Sequence, residues 1–315
     1  MSFSQSAKNE ICRIKDEEKC CHMAELSAII KTTGTINLNG QHNIGFKVST
    51  ESPAIARRVY SLIKGCFSIQ PEVLVKKNKQ LKKNNVYMII VSYDRGGFDI
   101  LKSCGILSAT EKGINIVYGI KQSLVKNNCC KRAYIRGAFL GGGSVTNPEK
   151  TYHLEFVAHV KEHADDLSDL INTFELNSKV IQRKNNYIVY LKEGEQIVDL
   201  LNIIGAHSSL LSLENVRIFK EMRNNVNRLV NCETANLSKT VNASVRQVEC
   251  IKLIKNTVGL KKLPPSLRQI AEVRINNPDS SLKELGEMCD PPIGKSGVNH
   301  RLRKLEQFAE ELHEK

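Results

Sequence analysis

Hydrophobic positions along the first two-thirds of the chain change period in the same order twice. HMAELSAIIKTT lies between Cys20-Cys21 and Gly34, and KRAYIRGAFLGG between Cys129-Cys130 and Gly143. Each glycine stands 13 residues after the second cysteine of its pair. Both stretches are small and apolar at helical spacing. Past each glycine the spacing shortens to alternation, the signature of half-buried strands. Ile36 and Leu38 lead to Ile44, Phe46 and Val48 in the first half. Val145, a turn at Asn147-Pro148, and Leu154, Phe156 and Ala158 follow in the second. Helical segments come next, from Pro53 to near Phe67 and from His163 to near Phe174. Further strands are expected at Glu72–Val75 and Tyr87–Tyr93, and at Val180–Gln182 and Tyr187–Leu191. The order helix, hairpin, helix, strands, helix therefore occurs twice. It predicts an α+β duplication over residues 1–218, with halves of about 1–127 and 128–218, rather than a parallel-sheet protein.

The pattern then changes again. Residues 219–262 read as a basic helical linker. Its part from Arg223 to Asn236 is rich in Asn and poor in apolar residues, so it is expected to be a connector. Three capping-box patterns follow: Ser244-x-x-Gln247, Ser266-x-x-Gln269 after Pro264-Pro265, and Ser281-x-x-Glu284. Asp290-Pro-Pro-Ile-Gly294 breaks the chain before a last helix, with Val298, Leu302, Leu305, Phe308 and Leu312 on one face. Ser296, His300, Arg303, Lys304 and Gln307 occupy the other. A short helix, a tight turn and a basic amphipathic helix make residues 263–315 a helix-turn-helix, whose second helix can enter a major groove.

Charge points the same way. Lys and Arg number 46 against 33 acids, a net charge of +13. That excess favours a polyanionic partner, here double-stranded DNA, although a generally basic proteome would produce it too. Ten cysteines form no CxxC pair and have no zinc-type histidine spacing. They are expected to be reduced, mostly buried apolar residues, with no metal and no cofactor. No secretory signal and no membrane span is legible, which predicts a cytoplasmic, nucleoid-associated protein.

LSAIIKTTG (26–34) and IRGAFLGGG (135–143) resemble the two copies of the LAGLIDADG helix of homing endonucleases. RGAFLGGGSVTNPEKTYHLE (136–155), SLKELGEM and GKSGVNHRLRKLE (294–306) resemble the WhiA family of bacterial regulators. That resemblance extends over the whole chain. It implies a LAGLIDADG-like domain joined to a DNA-binding helix-turn-helix, and a regulator linked to sporulation, cell division or chromosome segregation. LAGLIDADG nucleases place a metal-binding acid before the last glycine of each copy, and here those positions are Thr33 and Gly142. No acid lies from Lys31 to Gln41 or from Gly137 to Pro148. Hard divalent cations need such carboxylates, so no catalytic residue is expected. The rival reading is a nuclease with relocated acids at Asp94 and Asp99, or at Asp165-Asp166.

Candidate DNA contacts follow from these readings. Arg301 and Arg303 suit guanine and Asn299 suits adenine, with His300 on the same outer helix. Lys295, Ser296 and Lys304 suit phosphate. Arg57, Arg58, Lys76, Lys77, Lys79, Lys82 and Lys83 are candidate phosphate contacts in the duplicated domain. A solvated lysine loop explains the stretch from Lys76 to Lys83 equally well. A third reading gives the duplicated domain a protein partner and no DNA contact.

Overall fold

The computed structural model describes residues 2–15, 18–38, 44–77, 85–110 and 113–313. They fall into two compact units, Met1–Lys220 and Glu221–Lys315.

The first unit opens with α1 (Phe3–Ile11), which periodicity did not reveal. Ser2 caps it by accepting from the Gln5 amide, and Ala7 and Ile11 are buried. Next come α2 (Lys19–Thr33), β1 (Gly34–Leu38), β2 (Ile44–Thr50), α3 (Pro53–Phe67), β3 (Glu72–Lys77), β4 (Asn85–Val91) and α4 (Gly97–Ser103). A small antiparallel hairpin, β5 (Leu107–Thr110) and β6 (Gly113–Ile116), closes the first half. The second half repeats the pattern: α5 (Asn128–Gly142), β7 (Gly143–Val145), β8 (Leu154–Ala158), α6 (Lys161–Asn172), β9 (Lys179–Arg183), β10 (Asn186–Leu191) and α7 (Gly194–Ile204). The fold is α+β, as the alternating periods require.

Among the described residues each half forms one four-stranded antiparallel sheet, ordered β1-β2-β4-β3 and β7-β8-β10-β9. Alternation places Phe46, Val48, Ile89 and Val91 on the inner face of the first sheet, and Leu154, Phe156, Val189 and Leu191 on that of the second; all are buried. α2 and α5 lie side by side within this core and are buried on nearly every side. Ala24, Leu26, Ala28 and Ile29 of α2 and Ala133, Ile135, Ala138 and Phe139 of α5 are all buried in it. Small residues permit the approach: a Cβ on Gly137 would strike the Glu25 carbonyl.

α8 (His207–Thr257) is a single helix of 51 residues. The connector expected at Arg223–Asn236 is therefore helical, and residues 221–242 are exposed throughout. Few apolar residues there meant no packed face, which does not preclude a helix continued from both ends. The capping pattern at Ser244 is corrected for the same reason. Ser244 lies inside α8, and its hydroxyl donates to the Pro278 carbonyl.

The second unit contains the end of α8 with α9 (Pro265–Asn276), α10 (Leu282–Glu287) and α11 (Lys295–His313). Ser266 does not cap α9; Pro264 holds that position without a side-chain bond. Ser281 and Glu284 form a complete capping box on α10. Ile251, Ile254, Ile270, Leu285, Val298, Leu302 and Leu305 fill the core. No helix is long and apolar enough to cross a membrane among the described residues.

Candidate nucleic-acid interface

The turn between α10 and α11 is held close. The Ile293 amide donates to the Gly286 carbonyl at 3.0 Å. A Cβ on Gly286 would collide with the Ile293 carbonyl, so glycine is required by proximity. The Asp290-Pro291 peptide bond in this turn is cis. Behind it, the buried guanidinium of Arg274 donates to Gln247 Oε1 at 3.1 Å and to the Ser280 carbonyl at 2.6 Å. Ser244 and Gln247, which resembled a helix cap in sequence, thus clamp α8 to α9 and to the loop before α10.

This scaffold presents one side of α11. Lys295, Ser296, His300, Arg303 and Lys304 are exposed, Asn299 is half-buried on the same side, and Val298, Leu302 and Leu305 face inward. No acid stands in the first turn, where free amides favour an anion. Glu306, further along, is engaged by Arg246 of α8 at 3.2 Å. Arg301 does not join this group. It lies about 160° round the helix from Arg303, half-buried beside Asp290 and Pro291 with Lys261 and Arg268. Arg301 and Arg303, both candidate guanine contacts, therefore lie on different sides of α11. Sequence reasoning missed Lys261 and Arg268 as its neighbours, because only the packing of α9 brings them there.

In the first unit the two positions where nucleases carry acids lie at the ends of α2 and α5. Thr33 turns its hydroxyl back to the Ile29 carbonyl at 2.8 Å. A Cβ on Gly142 would stand 2.7 Å from the Val157 carbonyl oxygen. Neither position offers a carboxylate, and the second has no room for one without movement of the backbone. The residues present do not fit a divalent cation of the nuclease type. Nearby cations are turned inward: Lys8 Nζ donates to the Leu140 carbonyl at 3.2 Å and Lys31 Nζ to the Val117 carbonyl at 2.7 Å. Burial draws both ammonium groups down to about 8.

The acids of the rival reading stand apart from the ends of α2 and α5 in sequence, and the second pair has local partners. Asp165 pairs with Lys161 at 2.7 Å, and Asp166 accepts from the Ile120 amide at 2.6 Å. Asp94 lies in a single 3₁₀ turn (Tyr93–Arg95) and Asp99 on α4. Among the described residues no three or more carboxylates come together in metal-holding geometry.

Of the candidate phosphate contacts, Arg57 is exposed on α3, and Lys76 and Lys77 are exposed on β3. Arg58 is a correction: it is half-buried and turned inward, gripping both oxygens of Glu25 at 2.7 Å and the Ile14 carbonyl at 2.6 Å. Sequence cannot separate it from its exposed neighbour Arg57, since one helical step decides which points inward. Lys79, Lys82 and Lys83 lie outside the described residues. Alternation and register place Lys47, Glu72, Leu74, Lys76, Met88 and Ile90 on the outer face of the first sheet. Apolar side chains interrupt the charge on that face.

A duplicated LAGLIDADG-like fold followed by a helix-turn-helix defines the class of protein. Family models match in chain order: the WhiA N-terminal LAGLIDADG-like domain over residues 19–107, the WhiA LAGLIDADG-like domain over 131–223, and the WhiA C-terminal HTH domain over 226–309. The chain belongs to the WhiA family. It is 62% identical over 312 residues to the probable cell division protein WhiA of Clostridium beijerinckii, covering 99% of each chain. To the protein of the same name from Alkaliphilus metalliredigens it is 57% identical over 310 residues, covering 98% of each. The crystal structure of full-length DUF199/WhiA from Thermatoga maritima matches 99% of each chain with 27% identity and a TM-score of 0.61.

Proposed function

We propose that this protein is a sequence-specific, non-catalytic DNA-binding regulator acting in cell division, as the names of its relatives suggest. The observation that carries the reading is the exposed side of α11. It combines Lys295, His300, Arg303 and Lys304 with the hydrogen-bonding Ser296 and Asn299, on a helix braced by α9 and α10. Arg303 and Asn299 read base edges, Lys295 and Lys304 hold phosphate, and Arg301 contacts the backbone from the helix flank. The first unit retains the nuclease framework without its acids. Its half-apolar outer sheet face favours a protein partner over a phosphate backbone.

Salt titration of duplex binding by the full chain tests this division of labour. Each phosphate contact adds about 0.9 to the log–log slope. Lys304→Ala is expected to reduce the slope by about that amount. Lys76→Ala with Lys77→Ala leaves it unchanged. Arg303→Ala relaxes discrimination between target and random duplex by about 1–3 kcal/mol. A slope that falls with the β3 lysines, or discrete genomic occupancy that survives Arg303→Ala, overturns the reading.

A further inference from the structure

The doubled cysteines are not among the candidate DNA contacts, yet the fold brings all four together. Cys20 and Cys21 lie in the first turn of α2, Cys129 and Cys130 in the first turn of α5. Their four Sγ atoms lie within 4.8 Å of one another, and Cys129 Sγ stands 3.9 Å from Cys130 Sγ. Tetrahedral zinc with Zn–S bonds of about 2.3 Å sets its sulfurs about 3.8 Å apart. The cluster therefore surrounds a space close to the size of that ion.

We propose that Cys20, Cys21, Cys129 and Cys130 form a closed tetrathiolate site for one zinc(II) ion, tying the two central helices together at their N-termini. No CxxC pair is present in the sequence, which on its own predicts no metal. The duplication removes that requirement, as each half supplies one dipeptide at the same height on its own helix. The helix ends supply a second, independent observation. Neither N-cap, Glu18 of α2 or Asn127 of α5, makes a side-chain capping bond, and neither first turn contains an acid. Two uncapped helix N-termini converge on one point, and the dianion of a zinc tetrathiolate is a charge their free amides favour. Thiolates also select a soft ion over magnesium or calcium.

Burial gives the site an inside and an outside. Cys21 and Cys130 are buried, and Cys20 and Cys129 are exposed, so an ion can enter from solvent. Binding converts four thiols to four thiolates and releases up to four protons per ion. Affinity consequently weakens as pH falls. Adjacent cysteines are poorly placed to bridge each other. The competing chemistry is a pair of disulfides between the helices.

The test uses the full chain, reduced and stripped of metal, titrated with Co²⁺ under argon. The expected result is a thiolate-to-cobalt charge-transfer band with tetrahedral d–d bands, saturating at one equivalent and bleached by Zn²⁺. Cys20→Ser with Cys129→Ser changes only the exposed pair, and it is expected to abolish the bands while circular dichroism stays unchanged. Zinc retained at one equivalent by the protein purified without chelator supports the site as well. The wild-type titration does not depend on how a variant folds. Absence of the charge-transfer band in the reduced wild-type chain overturns the proposal. So does mass-spectrometric recovery of the four cysteines as disulfides between α2 and α5 from reducing cytoplasm.

Discussion

Glu25 of α2 and Arg136 of α5 meet at 3.0 Å across the centre of the first unit, with the Glu25 side chain fully buried. Arg58 grips the same carboxylate from α3. One buried acid thus neutralises part of two guanidinium groups, the buried Arg136 and the half-buried Arg58, and it links the two halves through charge as well as through apolar contact. Glu25→Ala would leave both cations without their carboxylate. Breaking a buried pair in this way costs about 3–5 kcal/mol. Urea denaturation of the full chain, followed by helical circular dichroism, is expected to show that loss, with a smaller one for Glu25→Gln.

Restoring the acids should not restore cleavage. Thr33→Asp with Gly142→Asp adds the two carboxylates, but the second needs a Cβ placed 2.7 Å from the Val157 carbonyl oxygen. The expected outcome is lower stability and no Mg²⁺-dependent nicking of supercoiled plasmid. Metal-dependent nicking by the double variant would show that only the side chains, and not the backbone spacing, had been lost.

The helix-turn-helix has its own point of failure. Gly286→Ala drives a methyl group into the Ile293 carbonyl, and overpacking of this kind costs about 1–3 kcal/mol. The second unit is expected to melt earlier and duplex affinity to fall. The melting of the first unit should not move. Differential scanning calorimetry separates the two if they unfold independently. Ser244→Ala removes the bond to Pro278 and is expected to cost about 1 kcal/mol in the same transition.

Acid should weaken the first unit through His163. Its ring lies 3.0 Å from the Tyr134 hydroxyl in a buried pair, and desolvation pulls its pKa from the usual 6.5 to about 4. Above 6.5 the ring is neutral folded and unfolded, and contributes no pH dependence. Below 6.5 the unfolded chain takes up the proton first, so stability falls until the folded ring titrates near 4. The full effect is on the order of 3 kcal/mol. His163→Phe is expected to flatten the stability profile in that window, measured by urea midpoints at successive pH values.

Much of the architecture was legible because it rests on local pattern. The glycine-ended segments before Gly34 and Gly143 announce two similar halves, and alternation past each glycine identifies the strands that follow. The box at Ser281 and Glu284 marks the start of α10, as both partners lie within one turn. Where the same pattern occurs at Ser244 and Gln247, it marks nothing local. Those side chains serve Pro278 and Arg274, which only the folded second unit brings within reach. The exposed middle of α8 misled for the opposite reason. Its apolar residues, Met222, Val226, Leu229, Val230, Leu237 and Val241, are exposed and cover no core, so the Asn-rich polar composition between them reads as a connector.

By itself, the sequence determined the duplication, the α+β class, the loss of carboxylates at Thr33 and Gly142, and the basic outer side of α11. Each of these is a property of residue type at short spacing. Tertiary structure alone decided which of Arg57 and Arg58 is exposed, that Lys261 and Arg268 gather beside Arg301, and that four cysteines from two distant segments converge. Side-chain direction depends on how each helix is rotated against its neighbours, and that rotation is set by packing across the whole core.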